Sequence, residues 1–216
     1  MTTVLLTGFG PFPGIFHNPT GPLVQQLARL RRPALADIRL VPHVFETSYR
    51  AVDDALPKLL AEIKPDALLM FGLAPKAACL RVETRARNVL SARADAAGEL
   101  PPGACILPGG PDALPFGAPA LKLARAACDA GAPAMTSRNA GRYLCNYLCW
   151  RAIEAAARPE GPKFSVFVHV PRIASGQKPK RGGRKVWRMA DLLRGSEAIL
   201  LAALAETRRR GHMAET

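Results

Sequence analysis

The sequence predicts an α/β fold: a single domain of three layers, in which helices cover both faces of a mostly parallel, twisted sheet. Short apolar runs bounded by Gly and Pro, such as TVLLTGF at 3–9, are typical of buried strands. Between these runs, apolar residues recur at spacings of three and four, which is typical of amphipathic helices. Because helices usually connect parallel strands, this alternation predicts a parallel sheet.

The first third of the chain is predicted to contain three strands and two helices. The predicted strands are 3–9, 37–44 and 67–72, each rich in apolar residues. The helix at 20–30 is predicted from Leu23, Val24, Leu27 and Leu30. The helix at 48–63 is predicted from a stripe of six residues, Tyr49, Val52, Leu56, Leu59, Leu60 and Ile63. Pro57 is an irregularity within that helix.

The remaining elements follow a long segment rich in Pro and Gly. Residues 98–119 are predicted as a loop or insertion, with strand character at 104–107. Further strands are predicted at 133–136 and 164–170, and further helices at 114–130, 143–157 and 187–206. The whole chain, 1–216, is expected to form one domain, since 216 residues is an ordinary domain size.

Composition excludes several classes of protein. The chain is 49% hydrophobic, which fits a globular protein. It contains no run of about eighteen apolar residues, which is the length that would predict a membrane span. The N-terminal segment lacks the basic and small-residue regions of a secretory signal. Five scattered cysteines without a CxxC pair indicate neither a disulfide framework nor a zinc site, so no metal and no cofactor is expected. We therefore expect a cytoplasmic protein with reduced thiols.

Cys145 has the local sequence that best suits a nucleophilic thiol. The segment 137–141 (SRNAG) predicts a turn that leads into a helix, so Cys145 would lie near the first helical turn. The free N–H groups and the dipole of a helix N-terminus stabilise a thiolate, which is the reactive form. Cys149, one turn later, is expected to be a packed thiol. The other three cysteines, Cys79, Cys105 and Cys128, are also expected to be packing residues.

A cysteine nucleophile needs a base, and the base needs a group that orients it. Sites in open α/β sheets lie at the carboxyl ends of strands. Candidate site residues lie at or after the ends of three predicted strands, namely 8–12, His43 and His169. His169 suits the role of general base, although a buried structural histidine is the common alternative. Spacing alone leaves four candidates for the orienting group, namely Glu83, Asp66, Asn139 and Asn146.

Several segments together resemble pyroglutamyl peptidase type I, the pyrrolidone-carboxylate peptidases of the C15 cysteine peptidase family. The resemblance covers nearly the whole chain, through VLLTGFGPFPGIFHNPT, VPHVFETSYRAV, LRVETRARN, SRNAGRYLCN and FVHVP. It implies that Cys145 is the nucleophile, His169 the base and Glu83 the orienting carboxylate. The implied reaction removes an N-terminal pyroglutamyl residue from a peptide through a thioester acyl-enzyme.

The same resemblance implies a set of substrate-binding residues. Phe9 and Phe12 match aromatic residues that enclose the flat lactam ring, and Asn18 matches an asparagine that holds the first loop. Arg93 matches an arginine kept beside the site, and Tyr143 lies in the matched cysteine segment. The resemblance further implies a peptide substrate with a blocked N-terminus and a homo-oligomer, either a dimer or a tetramer.

The sequence also departs from the family pattern. Leu73, in GLAPKA, stands where the family has a glutamine that lies close to the substrate. After His169 the chain continues as RIASGQKPKRGGRK, which is unlike the family's segment there. These departures make altered N-terminal specificity, or an inactive protein that retains the fold, the alternative interpretation.

A net charge of +13 supports a third interpretation, a basic module that binds nucleic acid. The segment 172–194 contains eight basic residues and one acidic residue, Asp191. Such a patch would contact phosphates without reading sequence, and Trp187 alone offers a ring for base stacking. We therefore expect a solvated basic segment, with neither nucleic acid nor a membrane as partner.

Overall fold

The described structure is a computed structural model covering residues 1–101, 103–174 and 186–214. The eight strands are β1 (Thr2–Phe9), β2 (Ile38–Phe45), β3 (Ala67–Leu73), β4 (Leu80–Glu83), β5 (Arg85–Arg87), β6 (Ala113–Pro115), β7 (Ala134–Ser137) and β8 (Phe164–Val170). The five α-helices are α1 (Thr20–Ala28), α2 (Tyr49–Ile63), α3 (Ala120–Asp129), α4 (Leu144–Ala156) and α5 (Met189–Ala214). A short 3-10 turn covers Pro33–Leu35.

Six strands form the central sheet in the order β2-β1-β3-β8-β4-β7. All neighbouring pairs are parallel except β4 and β8, which run antiparallel. β5 and β6 form a separate antiparallel ribbon. The predicted α/β class with a mostly parallel sheet is therefore confirmed.

The two faces of the sheet bury two separate hydrophobic clusters, as the period of two along each strand requires. One cluster packs helices α1, α3 and α5 against the sheet, through residues such as Leu23, Leu123 and Ile199. The other packs α2 and α4 against the opposite face, through residues such as Val52 and Leu148. Helices thus cover both faces, and the carboxyl ends of β1, β3 and β8 meet at one edge of the sheet.

The connection from β1 to α1 is held by a close approach of backbone to backbone. A Cβ added at Gly8 would lie 2.5 Å from the carbonyl oxygen of Thr20, so only glycine fits there. The hydroxyl of Thr20 accepts a hydrogen bond of 2.9 Å from the Phe9 amide. This connection fixes Phe9 at the end of β1.

Several predicted elements differ from the structure. The helix predicted at 114–130 begins only at Ala120, because Leu114 and Pro115 pair with β5 in the small ribbon. The segment 104–107 is not a strand, because Asn88 Oδ1 accepts hydrogen bonds from the amides of Ile106 and Leu107 and holds them in a bend.

Three further differences concern single residues and helix ends. His43 lies within β2 rather than after it, with its ring edge against Phe45. The last helix begins at Met189 and extends to Ala214, beyond the predicted end at 206.

No helix in the described part of the chain combines the length and apolarity that crossing a bilayer requires.

Candidate active site

Cys145 is the second residue of α4, at the helix N-terminus. Tyr143 precedes the helix in an extended conformation, and no side chain caps the helix by a hydrogen bond. The first amides of α4 therefore have no side-chain cap, and the N-terminus of a helix favours negative charge. Cys145 itself is partly exposed, as a nucleophile must be.

The neighbouring Cys149 has a different environment. It is fully buried in the α4 face of the core, and burial raises the pKa of its thiol well above the usual value. A buried thiol with a raised pKa is unreactive, so the two cysteines of α4 differ in chemistry as well as in position. The prediction that Cys128 is a packing residue is wrong, because that residue is exposed at the end of α3, where its sulfur lies 3.3 Å from the amide and carbonyl of Ala134.

His169 lies near the end of β8 and is paired with Glu83 on the adjacent strand. Its Nδ1 is 2.8 Å from Glu83 Oε1, and both side chains are buried. In the register of β4 and β8, Arg81 lies opposite His169, so Glu83, two residues further along β4, projects from the same face. The carboxylate fixes the Nδ1–H tautomer, which leaves Nε2 as the free nitrogen.

The pKa of His169 shows how closely this ring is coupled to Cys145. Burial alone would lower the pKa, but the charge and hydrogen bond of the Cys145 sulfur, followed by those of Glu83, outweigh burial and raise the pKa to about 9. The protonated form of the His169 ring is therefore favoured by its interactions with Cys145 and Glu83.

The absence of a side chain at Gly72 allows Cys145 to lie close to His169. In the register of β3 and β8, Gly72 lies directly opposite His169. A Cβ at Gly72 would lie 2.6 Å from Cys145 Sγ and 2.6 Å from the ring of Phe167. The sulfur thus occupies space that any other residue at this position would fill.

A small cavity of about 190 Å³ opens beside the cysteine and the histidine. Twelve residues line it, Phe9, Phe12, Asn18, Thr47, Leu73, Ala140, Gly141, Arg142, Tyr143, Leu144, Cys145 and His169. The rings of Phe12 and Tyr143 lie 6.3 Å apart, between centroids, and Leu73 adds an apolar wall. The cavity suits a small, flat and largely uncharged group.

A family model described as pyroglutamyl peptidase matches residues 2–191 of this sequence. The chain belongs to this family. The match covers every strand of the sheet and all the residues that line the cavity, and it ends at the start of α5.

Individual members of the pyroglutamyl peptidase family are similar to this chain over most of their length. The chain is 36% identical over 208 residues to the pyrrolidone-carboxylate peptidase of Clavibacter michiganensis, covering 95% of this chain and 94% of the relative. It is 34% identical over 185 residues to that of Pyrococcus furiosus, covering 82% and 88%. The solved pyrrolidone carboxyl peptidase from Thermococcus litoralis superposes with a TM-score of 0.85 at 28% identity, over 97% of this chain and 96% of that chain.

Within this pyroglutamyl peptidase fold, Asn18 holds the first loop. Its amide nitrogen donates to the Gly10 carbonyl at 2.9 Å, and its Oδ1 accepts from the Thr20 amide and hydroxyl. Thr47, at the end of β2, donates its hydroxyl to the same Gly10 carbonyl at 3.0 Å. The two side chains fix the backbone that carries Phe9 and Phe12 to the cavity.

Arg93 does not line the cavity. Its guanidinium donates to the Pro13 carbonyl at 2.9 Å and lies 5.9 Å from the centre of the Tyr143 ring. The hydroxyl of Tyr143 donates to the Ala94 carbonyl at 3.0 Å, so this hydroxyl is already used. Arg93 therefore supports the aromatic wall from behind.

The other candidates for the orienting group are engaged elsewhere. Asp66 lies before β3, where it accepts a hydrogen bond from the Thr3 amide and pairs with Lys163. Asn139 accepts a hydrogen bond from the Gly141 amide in the turn before α4. Asn146 is fully buried and bonds the backbone of Arg87 and Val89. Of the four candidates, Glu83 contacts His169.

Sequence reasoning missed Gly72 and Thr47 as parts of the site. Both lie in or after predicted strands whose carboxyl ends point to this edge, which was the signal that could have found them. The sulfur contact at Gly72 additionally requires the register of β3 against β8 and the position of α4, and neither can be obtained from one sequence.

Proposed function

We propose that this protein is a cysteine peptidase that removes an N-terminal pyroglutamyl residue from peptides, with Cys145, His169 and Glu83 as its catalytic triad. The observation that carries the proposal is the buried Glu83–His169 pair beside a cysteine at the start of α4, in a member of the pyroglutamyl peptidase family. No cofactor and no metal takes part in the proposed reaction.

In the acylation step, Cys145 Sγ attacks the carbonyl carbon of the pyroglutamyl residue. The carbonyl oxygen becomes an oxyanion, which the free amides at the start of α4 stabilise. His169 Nε2 transfers a proton to the leaving amine as the C–N bond breaks and the thioester remains on Cys145. Glu83 keeps the ring in the tautomer and orientation that this proton transfer needs.

In the deacylation step, His169 takes a proton from a water molecule that attacks the thioester. The second oxyanion collapses, the C–S bond breaks, and the sulfur leaves as a thiolate beside the imidazolium. Pyroglutamate is released and the starting ion pair is restored. The raised pKa of His169, about 9, supports the imidazolium of this pair at neutral pH.

The cavity supports recognition of the lactam ring by shape and lack of charge. Pyroglutamate has no charged amine, and the walls formed by Phe9, Phe12, Tyr143 and Leu73 are apolar. The side chain of Leu73 can make no hydrogen bond to the ring amide, in contrast to the glutamine side chain of the family pattern. This substitution favours a second candidate function, the removal of a different small N-terminal group by the same triad.

The test is hydrolysis of a pyroglutamyl coumarin amide by the purified protein. We expect the wild type to release coumarin, Cys145→Ser to lose about 10³-fold or more in kcat/KM, and Cys149→Ser to retain activity. A panel of coumarin amides with prolyl, alanyl and glutaminyl groups distinguishes the second candidate. Release from one of these, without release from the pyroglutamyl amide, would replace the first function by the second.

Beyond the reaction, we propose a cytoplasmic enzyme that forms one domain over 1–216 and assembles as a dimer or tetramer. The substrates are peptides with a blocked N-terminus. Family membership supports the peptide substrate, while the assembly is an expectation that sedimentation velocity tests directly. A single species at the monomer mass of 23.1 kDa would contradict it.

A further inference from the structure

A second and larger hollow lies next to the proposed pyroglutamyl cavity and is not used by the mechanism above. It measures about 830 Å³ and shares Phe9 and Asn18 with the small cavity, so the two are separated only by the β1–α1 loop. Its far side is formed by the segment after β8 and by the start of α5. We call this hollow the loop groove.

The loop groove has an apolar lining and one cation. Its apolar side chains include Ile15, Phe16, Val44, Ile173 and Met189. The ring of Phe16 is 82% exposed, which is unusual for phenylalanine and marks a surface available for contact. Arg172 is the charged side chain of this lining, it is exposed, and no ion pair joins it to another described residue.

The position of the groove relative to His169 suggests what it binds. Arg172 and Ile173 follow His169 by three and four residues, directly beyond the end of β8. In the proposed reaction His169 protonates the leaving amine, so the departing peptide begins at that ring. In the proposed reaction the pyroglutamyl ring occupies the small cavity, which the groove adjoins at Phe9 and Asn18.

We propose that the loop groove is the subsite for the leaving peptide and selects an apolar residue followed by a carboxylate. This inference rests on the proposed function and adds a substrate class to it. The apolar side chain next to the scissile bond contacts Phe16 and Ile173, and Arg172 pairs with the carboxylate of the following residue. Such a pair at an exposed arginine is worth only a few-fold in rate, which favours a preference rather than an absolute requirement.

The test compares three amidated peptides in which the pyroglutamyl group is constant: pGlu-Phe-Glu, pGlu-Phe-Gln and pGlu-Ala-Glu. We expect the wild type to cleave the Phe-Glu peptide with a kcat/KM about two- to fivefold above that for the Phe-Gln peptide. Arg172→Gln should remove this preference and Arg172→Glu should reverse it. Arg39→Gln is the matched control, since Arg39 is an exposed cation near the amino end of β2 and does not line the groove.

The apolar part of the subsite is tested with Phe16→Ala. We expect the wild type to prefer the Phe-Glu peptide over the Ala-Glu peptide by about fivefold, and the variant to lose most of this preference. Its sedimentation coefficient should not change, and its release of pyroglutamate should fall least for the Ala-Glu peptide. If Phe16→Ala instead reduces the oligomer to a smaller species, the groove binds a second copy of the chain and the subsite is overturned.

The outcomes separate the subsite from the proposed function. Wild-type release of pyroglutamate from all three peptides at equal rates overturns the subsite and leaves the peptidase. A Glu-over-Gln preference that survives Arg172→Gln also overturns the role of Arg172. Failure of the wild type to release pyroglutamate from any peptide or from the coumarin amide overturns the proposed function, and the subsite with it.

Discussion

Gly72 has no side chain, and the sulfur of Cys145 lies where a methyl group would be. The nearest atoms to a Cβ at this position are Cys145 Sγ and the ring of Phe167, both at 2.6 Å. Phe167 is fully buried and cannot turn away, so the sulfur would have to move. The distance between the cysteine and His169 thus depends on a residue that takes no part in the chemistry.

We therefore predict that Gly72→Ala lowers kcat/KM for the coumarin amide by about tenfold or more, because a small displacement of a nucleophile is costly. The added methyl should also lower the free energy of unfolding by about 1–3 kcal/mol. Steady-state kinetics and urea unfolding measure the two effects. Gly103→Ala is the control, since a methyl there comes no closer than 4.0 Å to its nearest neighbour. Full activity in Gly72→Ala would contradict the close packing of the sulfur.

The pH profile tests the coupling between His169 and its two partners. Because the pKa of His169 is raised to about 9, the ring is protonated below that pH and loses its proton as the pH rises through it. We expect kcat/KM to fall on the alkaline side near pH 9. In Glu83→Gln the carboxylate no longer raises this pKa, so the alkaline fall should move toward neutral pH and kcat should drop about tenfold or more.

The control for this prediction is Asp66→Asn, which removes a carboxylate that contacts Thr3 and Lys163 rather than His169. Its alkaline fall should coincide with that of the wild type. An unshifted profile in Glu83→Gln would mean that Glu83 does not control the proton of His169.

At the scale of elements, α4 carries the proposed nucleophile, Cys145, and one side chain of α4, Asn146, binds the β5 segment. Asn146 is fully buried, and its Oδ1 accepts a hydrogen bond of 2.8 Å from the Arg87 amide. Its Nδ2 donates to the Arg87 carbonyl at 2.8 Å and to the Val89 carbonyl at 3.2 Å. These three hydrogen bonds satisfy backbone groups of Arg87 and Val89 that would otherwise need a neighbouring strand. They set the position of the first turn of α4 relative to β4 and β5.

We predict that Asn146→Ala lowers the free energy of unfolding by about 1–3 kcal/mol, because buried backbone groups lose their partners. Activity should fall as well, since Cys145 precedes Asn146 in the same helical turn. Urea unfolding and coumarin release measure the two effects. Asn139→Ala removes only a local bond in an exposed turn and should cost less than 1 kcal/mol by the same measurement. Equal losses in both variants would argue against a special role for Asn146.

Elements with a strong pattern could be predicted from the sequence, and those defined by pairing could not. The strand at 164–170 is β8 to the residue, and the helix predicted at 48–63 is α2, which Ser48 caps by accepting a hydrogen bond from the Ala51 amide. β4 and β5 were missed because the alternation of apolar and charged residues in LRVETRAR covers runs of only four and three residues. β4 is defined by its pairing with β8 and β7, and β5 by its pairing with β6 in the separate ribbon.

The same distinction applies to the site. Cys145 and His169 could be chosen from local sequence, since a turn before a helix and a strand end each have a recognisable pattern. The choice of Glu83 among four candidates required either the family resemblance or the antiparallel register of β4 against β8. Arg93, which the resemblance places beside the site, contacts Tyr143 and Pro13 and does not line the cavity.

At the scale of the whole molecule, the net charge of +13 is carried partly by the segment 175–185, which lies outside the described residues. Five basic residues of that segment are Lys178, Lys180, Arg181, Arg184 and Lys185. The triad and the small cavity lie entirely on other segments. Charge and catalysis can therefore be separated by mutation.

We predict that replacing these five residues with glutamine leaves kcat/KM for the uncharged coumarin amide within about twofold of the wild type, because long-range electrostatics has little effect on a neutral substrate. Retention on immobilised duplex DNA should be weak and suppressed by salt in the wild type. A control variant with the same loss of charge replaces Arg29, Arg31, Arg39, Lys58 and Lys122. We expect both variants to lose retention equally, since non-specific attraction follows the number of cations removed. Loss of DNA binding in the first variant alone would identify the segment as a nucleic-acid site and revive the third interpretation of the sequence.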